Sequence, residues 1–165
     1  MKWHIFIGII AALALTAVDG FAQRYVGSDT CKGCHAFAYE RWASGPHSKS
    51  HLSLAAGQQK DAKCNTCHIT KTSKQQNMLV SPPVGIGCES CHGPGQYYHP
   101  AYVMKDKELA AAVGLIQPTE ANCRRCHTEG TPSIREFDFE TFWKEIEHGR
   151  AARERWEAEQ LEATP

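Results

Sequence analysis

Eight cysteines and nine histidines in 165 residues are the side chains in this sequence most able to do chemistry. The cysteines form four pairs, CKGCH (31–35), CNTCH (64–68), CESCH (88–92) and CRRCH (123–127), and each pair is followed at once by histidine. Four such histidines have a chance on the order of 10⁻⁵ under random placement. An even cysteine count in an exported chain usually means disulfides, but a disulfide framework has no use for that histidine. Four-thiolate zinc sites also use CxxC pairs, yet they do not fix a histidine at the next position four times. A c-type haem needs all three residues. Two sulfurs add to the porphyrin vinyl groups, and the adjacent imidazole ligates the iron. The sequence thus predicts four haem c groups, attached through Cys31 and Cys34, Cys64 and Cys67, Cys88 and Cys91, and Cys123 and Cys126. Their proximal iron ligands are His35, His68, His92 and His127.

The sixth ligand of each iron decides what it can do. Iron between two histidines is suited to moving electrons, whereas iron with one can bind a small molecule. Past the N-terminal 22 residues, His47, His51, His99 and His148 remain, four imidazoles for four distal positions. Met78 and Met104 are the other candidates, though methionine more often fills packing gaps. His47 and His51 lie four apart in GPHSKSH, after a helix-start signal with Ser44 as a candidate N-cap and Pro46 in the first turn. An α-helix over 47–56 would set their Cβ atoms about 5–6 Å apart, too close for two irons unless the side chains splay. His51 is therefore the weakest of the four candidates. His99 follows CESCH by seven residues with a reach of about 24 Å, so a neighbouring haem is its easier target. His148 follows the amphipathic stripe of Phe139, Phe142, Trp143 and Ile146, where Gly149 ends the helix.

The elements that must position these residues are short. The reading predicts helices over Ala36–Ala43 and Lys105–Val113, the latter ended by Gly114, and a loop over Thr70–Gly87 broken by Pro82 and Pro83. Strand signals are scarce. The expected fold is mainly α, with short helices and loops packed around four covalent haems and little or no sheet. So small a chain buries only a modest core of its own, and porphyrin faces would supply the rest. Phe37, Tyr39, Trp42, Tyr97 and Tyr98 are expected to pack on haem edges. The charged tail 150–165 reads as a solvated helix or frayed end, with Trp156 as a docking candidate.

At the N-terminus, Lys2 precedes an apolar stretch from Ile5 to Val18 and small residues at 20–22, the pattern of a cleavable signal peptide. Fourteen apolar residues fall short of the roughly 18 or more of a membrane anchor. Residues 1–22 thus read as signal peptide and 23–165 as one tetrahaem domain, periplasmic or extracellular. Lys and Arg total 18, as do Asp and Glu, which leaves no electrostatic footprint for nucleic acid. Haem propionates would add up to about eight carboxylates, making the holoprotein acidic.

The words YVGSDTCKGCH, GPHSKSH, VGIGCESCHGPG, NCRRCH and FDFETFWKEIEHG together resemble the cytochrome c-554/c-prime type of tetrahaem cytochrome. The resemblance implies a mainly helical periplasmic electron-transfer protein with closely packed haems. It also implies His99 as distal ligand opposite His35, His148 opposite His92, and His47 opposite His127. The second haem, on His68, has no distal ligand in that pattern, and this chain departs from it in carrying His51, a candidate for the gap. Three functions follow. The first is electron transfer through mostly bis-histidine haems with redox partners, an oxidoreductase or a membrane quinol-oxidising complex. The second is reduction of a nitrogen oxide or similar small molecule at an open second haem. The third is a homo-oligomer or conducting filament.

Overall fold

The computed structural model describes residues 23–70, 85–130 and 136–163. The segment 1–22 expected as a signal peptide, most of the stretch 70–87 expected as a loop with Pro82 and Pro83, and Met78 lie outside the described residues. Among the described residues the chain is helical, without strands. The α-helices are α1 (Ser28–Lys32), α2 (Ala36–Ser44), α3 (Ala62–His68), α4 (Cys88–His92), α5 (Ala101–Met104), α6 (Lys107–Ala112), α7 (Glu120–Cys123), α8 (Phe139–Ile146) and α9 (Arg150–Glu162). A 3₁₀ helix runs over His47–Ser53 and a short one over Gln58–Lys60.

Local chemistry sets these boundaries. Asp61, Asp106 and Asp138 each accept a backbone N–H of the helix they precede, at 2.8–2.9 Å. Thr119 and Asn122 form a capping box on α7. The helix expected over 105–113 is α6, which starts two residues later because Asp106 caps it by accepting Leu109 N–H. Gly114, at φ +112°, ends it as the sequence predicts.

GPHSKSH departs most from expectation. Ser44 is the last residue of α2, not an N-cap: its hydroxyl donates back to the carbonyls of Glu40 and Arg41. The expected α-helix over 47–56 is a 3₁₀ helix ending at Ser53. Three serines explain the tighter winding, since Ser48, Ser50 and Ser53 donate to carbonyls three or five residues back and compete with the i→i−4 ladder. The His47 carbonyl is also taken by Ile86 N–H at 2.8 Å, so it is drawn away from an α-helical bond to residue 51. That approach needs Gly85, where a Cβ would lie 2.3 Å from the His47 oxygen. At about three residues per turn, positions 47 and 51 point about 120° apart. The splay that two irons would require is built into the backbone.

Among the described residues buried apolar side chains are few. Leu54, Tyr98, Val103 and Ala110 are the buried hydrophobics there, and Met104, Val113 and Leu115 pack around the last three. No large side chain among the described residues is fully buried. Tyr98 donates to Gly93 O at 2.6 Å, Trp42 to Ile86 O at 2.7 Å and Tyr39 to Asp29 at 2.7 Å, while Tyr97 stays exposed. The tail is a solvated helix, α9, whose Trp156 packs on Phe37 at 5.7 Å and so has a partner within the chain.

One charge does much of the joining. Glu89, between the cysteines of CESCH, is 2% exposed, and its carboxylate accepts from Val26 N–H (2.8 Å), Gly27 N–H (2.7 Å) and Gly95 N–H (2.6 Å). It pins the N-terminal segment and the Gly-Pro-Gly turn to α4. Glu89→Gln keeps the shape but turns an NH₂ donor toward N–H donors. It is expected to destabilise the holoprotein by about 2 kcal/mol, read as a lower denaturant midpoint with an unchanged slope.

Candidate functional site

None of the eight cysteines forms a disulfide. Among the described residues no group of three or more His, Cys, Asp or Glu is arranged to hold a metal ion by itself, so the thiols do not converge as a zinc tetrad. They meet across motifs instead. Cys31 hydrogen-bonds to Cys88, which pulls the Cys88 thiol down to about 6 and, with burial, pushes Cys31 up. Burial, and then contact with Cys67, pushes Cys126 up to about 12. Cys91 lies in the field of Cys123. Motif one therefore abuts motif three, motif two abuts motif four, and motifs three and four adjoin.

The imidazoles form two pairs. His47 faces His127 with ring centres 6.1 Å apart and planes at 63°, and His92 faces His148 at 5.9 Å and 68°. Two imidazoles on opposite sides of one metal ion, at metal–nitrogen bonds of about 2 Å, have ring centres about 6 Å apart. Both pairs fit one iron each. His127 also stacks on Phe137 at 4.5 Å, which fixes its plane. Burial holds His47, His92 and His127 below the usual histidine range, and the facing imidazole adds to this for His47. They are thus neutral near pH 7, the form that ligates.

Backbone carbonyls select the tautomer. His68 Nδ1 lies 2.9 Å from Ser50 O, His92 Nδ1 3.0 Å from Ile116 O, His99 Nδ1 3.0 Å from Gly95 O, and His148 Nδ1 2.8 Å from Ile146 O. A carbonyl only accepts, so each Nδ1 carries the proton and each Nε2 keeps its lone pair for a metal. His148 reaches His92 from just beyond α8, whose Glu145 carbonyl is held by Arg41 at 2.9 Å. An ion pair between Glu147 and Arg155 tethers the same link to α9.

The remaining candidates are not brought together. His35 and His99 are both exposed, and no ring contact joins them. His51 Nδ1 is buried without a hydrogen-bond partner. Met104 packs in the small core. An apolar cleft, partly open to solvent, is lined by Cys31, His35, His47, Cys88, His92 and His148, among others. Attachment thiols and facing imidazoles around one apolar cleft fit a thioether-linked haem. Sequence reasoning missed Glu89, Ser50, Ser53 and Phe137, which carry no motif of their own and act through backbone contacts and stacking.

Helical and without strands among the described residues, and carrying four CxxCH words, the chain has the character of a c-type cytochrome, an electron carrier. Residues 30–93 match the family model described as cytochrome c554 and c-prime. Cytochrome c-554 of Nitrosomonas europaea is 27% identical over 169 residues, covering 80% of this chain and 72% of that protein. The solved structure of reduced cytochrome c554 from Nitrosomonas europaea superposes with a TM-score of 0.53 at 23% identity, covering 75% of this chain and 78% of that one. The first two findings are similarities to cytochrome c-554 proteins, and the third shows that the chain shares the fold of that solved structure.

Replacing His148 with Ala leaves one imidazole at the His92 site. The expected outcome is a new high-spin signal in electron paramagnetic resonance and carbon monoxide binding by the reduced protein, with the other sites unchanged.

Proposed function

We propose that this chain is an exported tetrahaem cytochrome that carries electrons in the periplasm, with bis-histidine ligation at three of four irons. Each haem, when bound, takes up and releases one electron. The observation that carries this reading is the facing of imidazoles at about 6 Å in two pairs, His47 with His127 and His92 with His148. His99 is assigned to the His35 iron by family resemblance, and its exposed ring with protonated Nδ1 is suited to that role. The thiol contacts support a chain of haems that runs first, third, fourth, second rather than in sequence order. The leader-like residues 1–22 support export, and no described helix is long and apolar enough to cross a membrane. Redox proteins are its partners.

The second haem supports a further reading. The two nitrogens of an imidazole lie on opposite sides of the ring, so His68 Nε2 is turned away from Ser50 and from the 3₁₀ helix. His51 sits on that helix, on the Nδ1 side of His68, which favours an open far face on the second haem over ligation by His51. An open position on the second iron favours small-molecule binding there, a nitrogen oxide being one substrate class. Nothing in the geometry favours the filament.

A reductive titration of the holoprotein is expected to take up four electrons per chain. The oxidised resonance spectrum is expected to show three low-spin irons and one high-spin iron, and His51→Ala to leave it unaltered. Uptake of fewer than four electrons would remove the tetrahaem carrier, and a fourth low-spin iron lost in His51→Ala would return His51 to the second haem.

A further inference from the structure

We infer that the 3₁₀ helix His47–Ser53 is a ligand holder shared by the second and fourth haems, with Ser50 as the positioning residue that couples them and Ser53 as a positioning residue for His68 alone. The inference rests on the ligand reading above for His47 and His68, and it assigns roles to residues that no CxxCH motif contains.

The contacts are few and specific. One end of the helix supplies His47, which faces His127. The other end holds His68: its Nδ1 lies 2.9 Å from Ser50 O and 3.0 Å from Ser53 Oγ. Ser53 Oγ donates its own proton to Ser50 O at 2.7 Å, so toward His68 it acts as an acceptor. His68 Nδ1–H is thus shared by two acceptors on one turn of helix, whereas His92 and His148 each show a single carbonyl. Acceptors at Nδ1 increase the basicity of the ligating nitrogen and stabilise ferric over ferrous iron.

Ser50 ties the two ends. Its hydroxyl lies 2.8 Å from His47 O and 2.9 Å from His68 O, and it accepts Ile86 N–H at 3.0 Å. One hydroxyl thus touches the main chain of the candidate distal ligand of the fourth haem and that of the proximal ligand of the second. The backbone around it is fixed by Gly85 and by the Ile86-to-His47 bond. A displacement of His68 when its iron changes charge therefore moves the anchor of His47 with it. Ser48 lies on the same helix but donates only to Ala43 O and Gly45 O, away from His68.

The test uses the full holoprotein and four single variants, read by potentiometric titration and by the resonance signature of each haem. Ser53→Ala removes one acceptor at His68. At a fixed potential, its oxidised-to-reduced ratio at the second haem is expected to fall about tenfold, a rise in midpoint of about 59 mV, with the fourth haem unchanged. Ser50→Ala is expected to move the midpoint of the second haem and the low-spin signature of the fourth together. Ser48→Ala is expected to move neither. Should Ser50→Ala yield no holoprotein, Ser50→Cys, whose thiol holds the same carbonyls weakly, is read the same way. His47→Ala checks the underlying reading: the fourth haem must become high-spin. If it does and the Ser50 variant moves only one haem or none, the coupling is overturned. If His47→Ala leaves every low-spin signal intact, the ligand assignment fails instead.

Discussion

The structure depends on the covalent attachment of flat apolar groups to a chain that has almost no interior without them. Outside α9, its α-helices run from four to nine residues, well under the roughly 12–15 at which an isolated helix becomes even marginal. Among the described residues the buried hydrophobics number four, and three of those sit in one corner around Tyr98. Such elements hold their places only against something larger. On the proposed ligation, thioether bonds would fix that partner at two points per haem, and the histidine that follows would add a third through iron. The apolar cleft between motifs one and three, with thiols and imidazoles on its walls, has the character of a core position kept for a porphyrin.

Around that interior, polar contacts are spent on aiming rather than on bulk stability. Backbone carbonyls from Ser50, Gly95, Ile116 and Ile146 each hold an imidazole Nδ1, so the protein chooses which nitrogen meets the metal by where it places its turns. The buried Glu89 carboxylate does the same for the main chain, gathering three N–H groups from two segments onto α4. These groups are costly to leave unpaired in a low-dielectric setting, and for that reason they specify one arrangement.

Much of this was legible in the residues themselves. The CxxCH words fix the cofactor class because thioether chemistry and proximal ligation require those three residues together. The helical, strandless fold follows from scarce β signals and from caps such as Asp138 and Gly114 that do what their types suggest. The winding of 47–53 was not legible, because the α-helical spacing of His47 and His51 is overridden by serine hydroxyls and by a distant glycine, Gly85, that lets Ile86 capture the His47 carbonyl. The exact start of α6 at the Asp106 cap and the pairing of Trp156 with Phe37 escaped for a similar reason: each depends on a contact or cap that a period alone does not encode. Glu89 was overlooked because a residue between two cysteines looks like a spacer until its neighbours are known.

The most direct test of the central claim is the intact mass of the mature chain after denaturation and extraction with acidified acetone. The account requires the polypeptide to retain four porphyrins, one for each CxxCH word, through conditions that strip any non-covalent haem. Recovery of the bare polypeptide mass, with the pigment in the acetone, would contradict it.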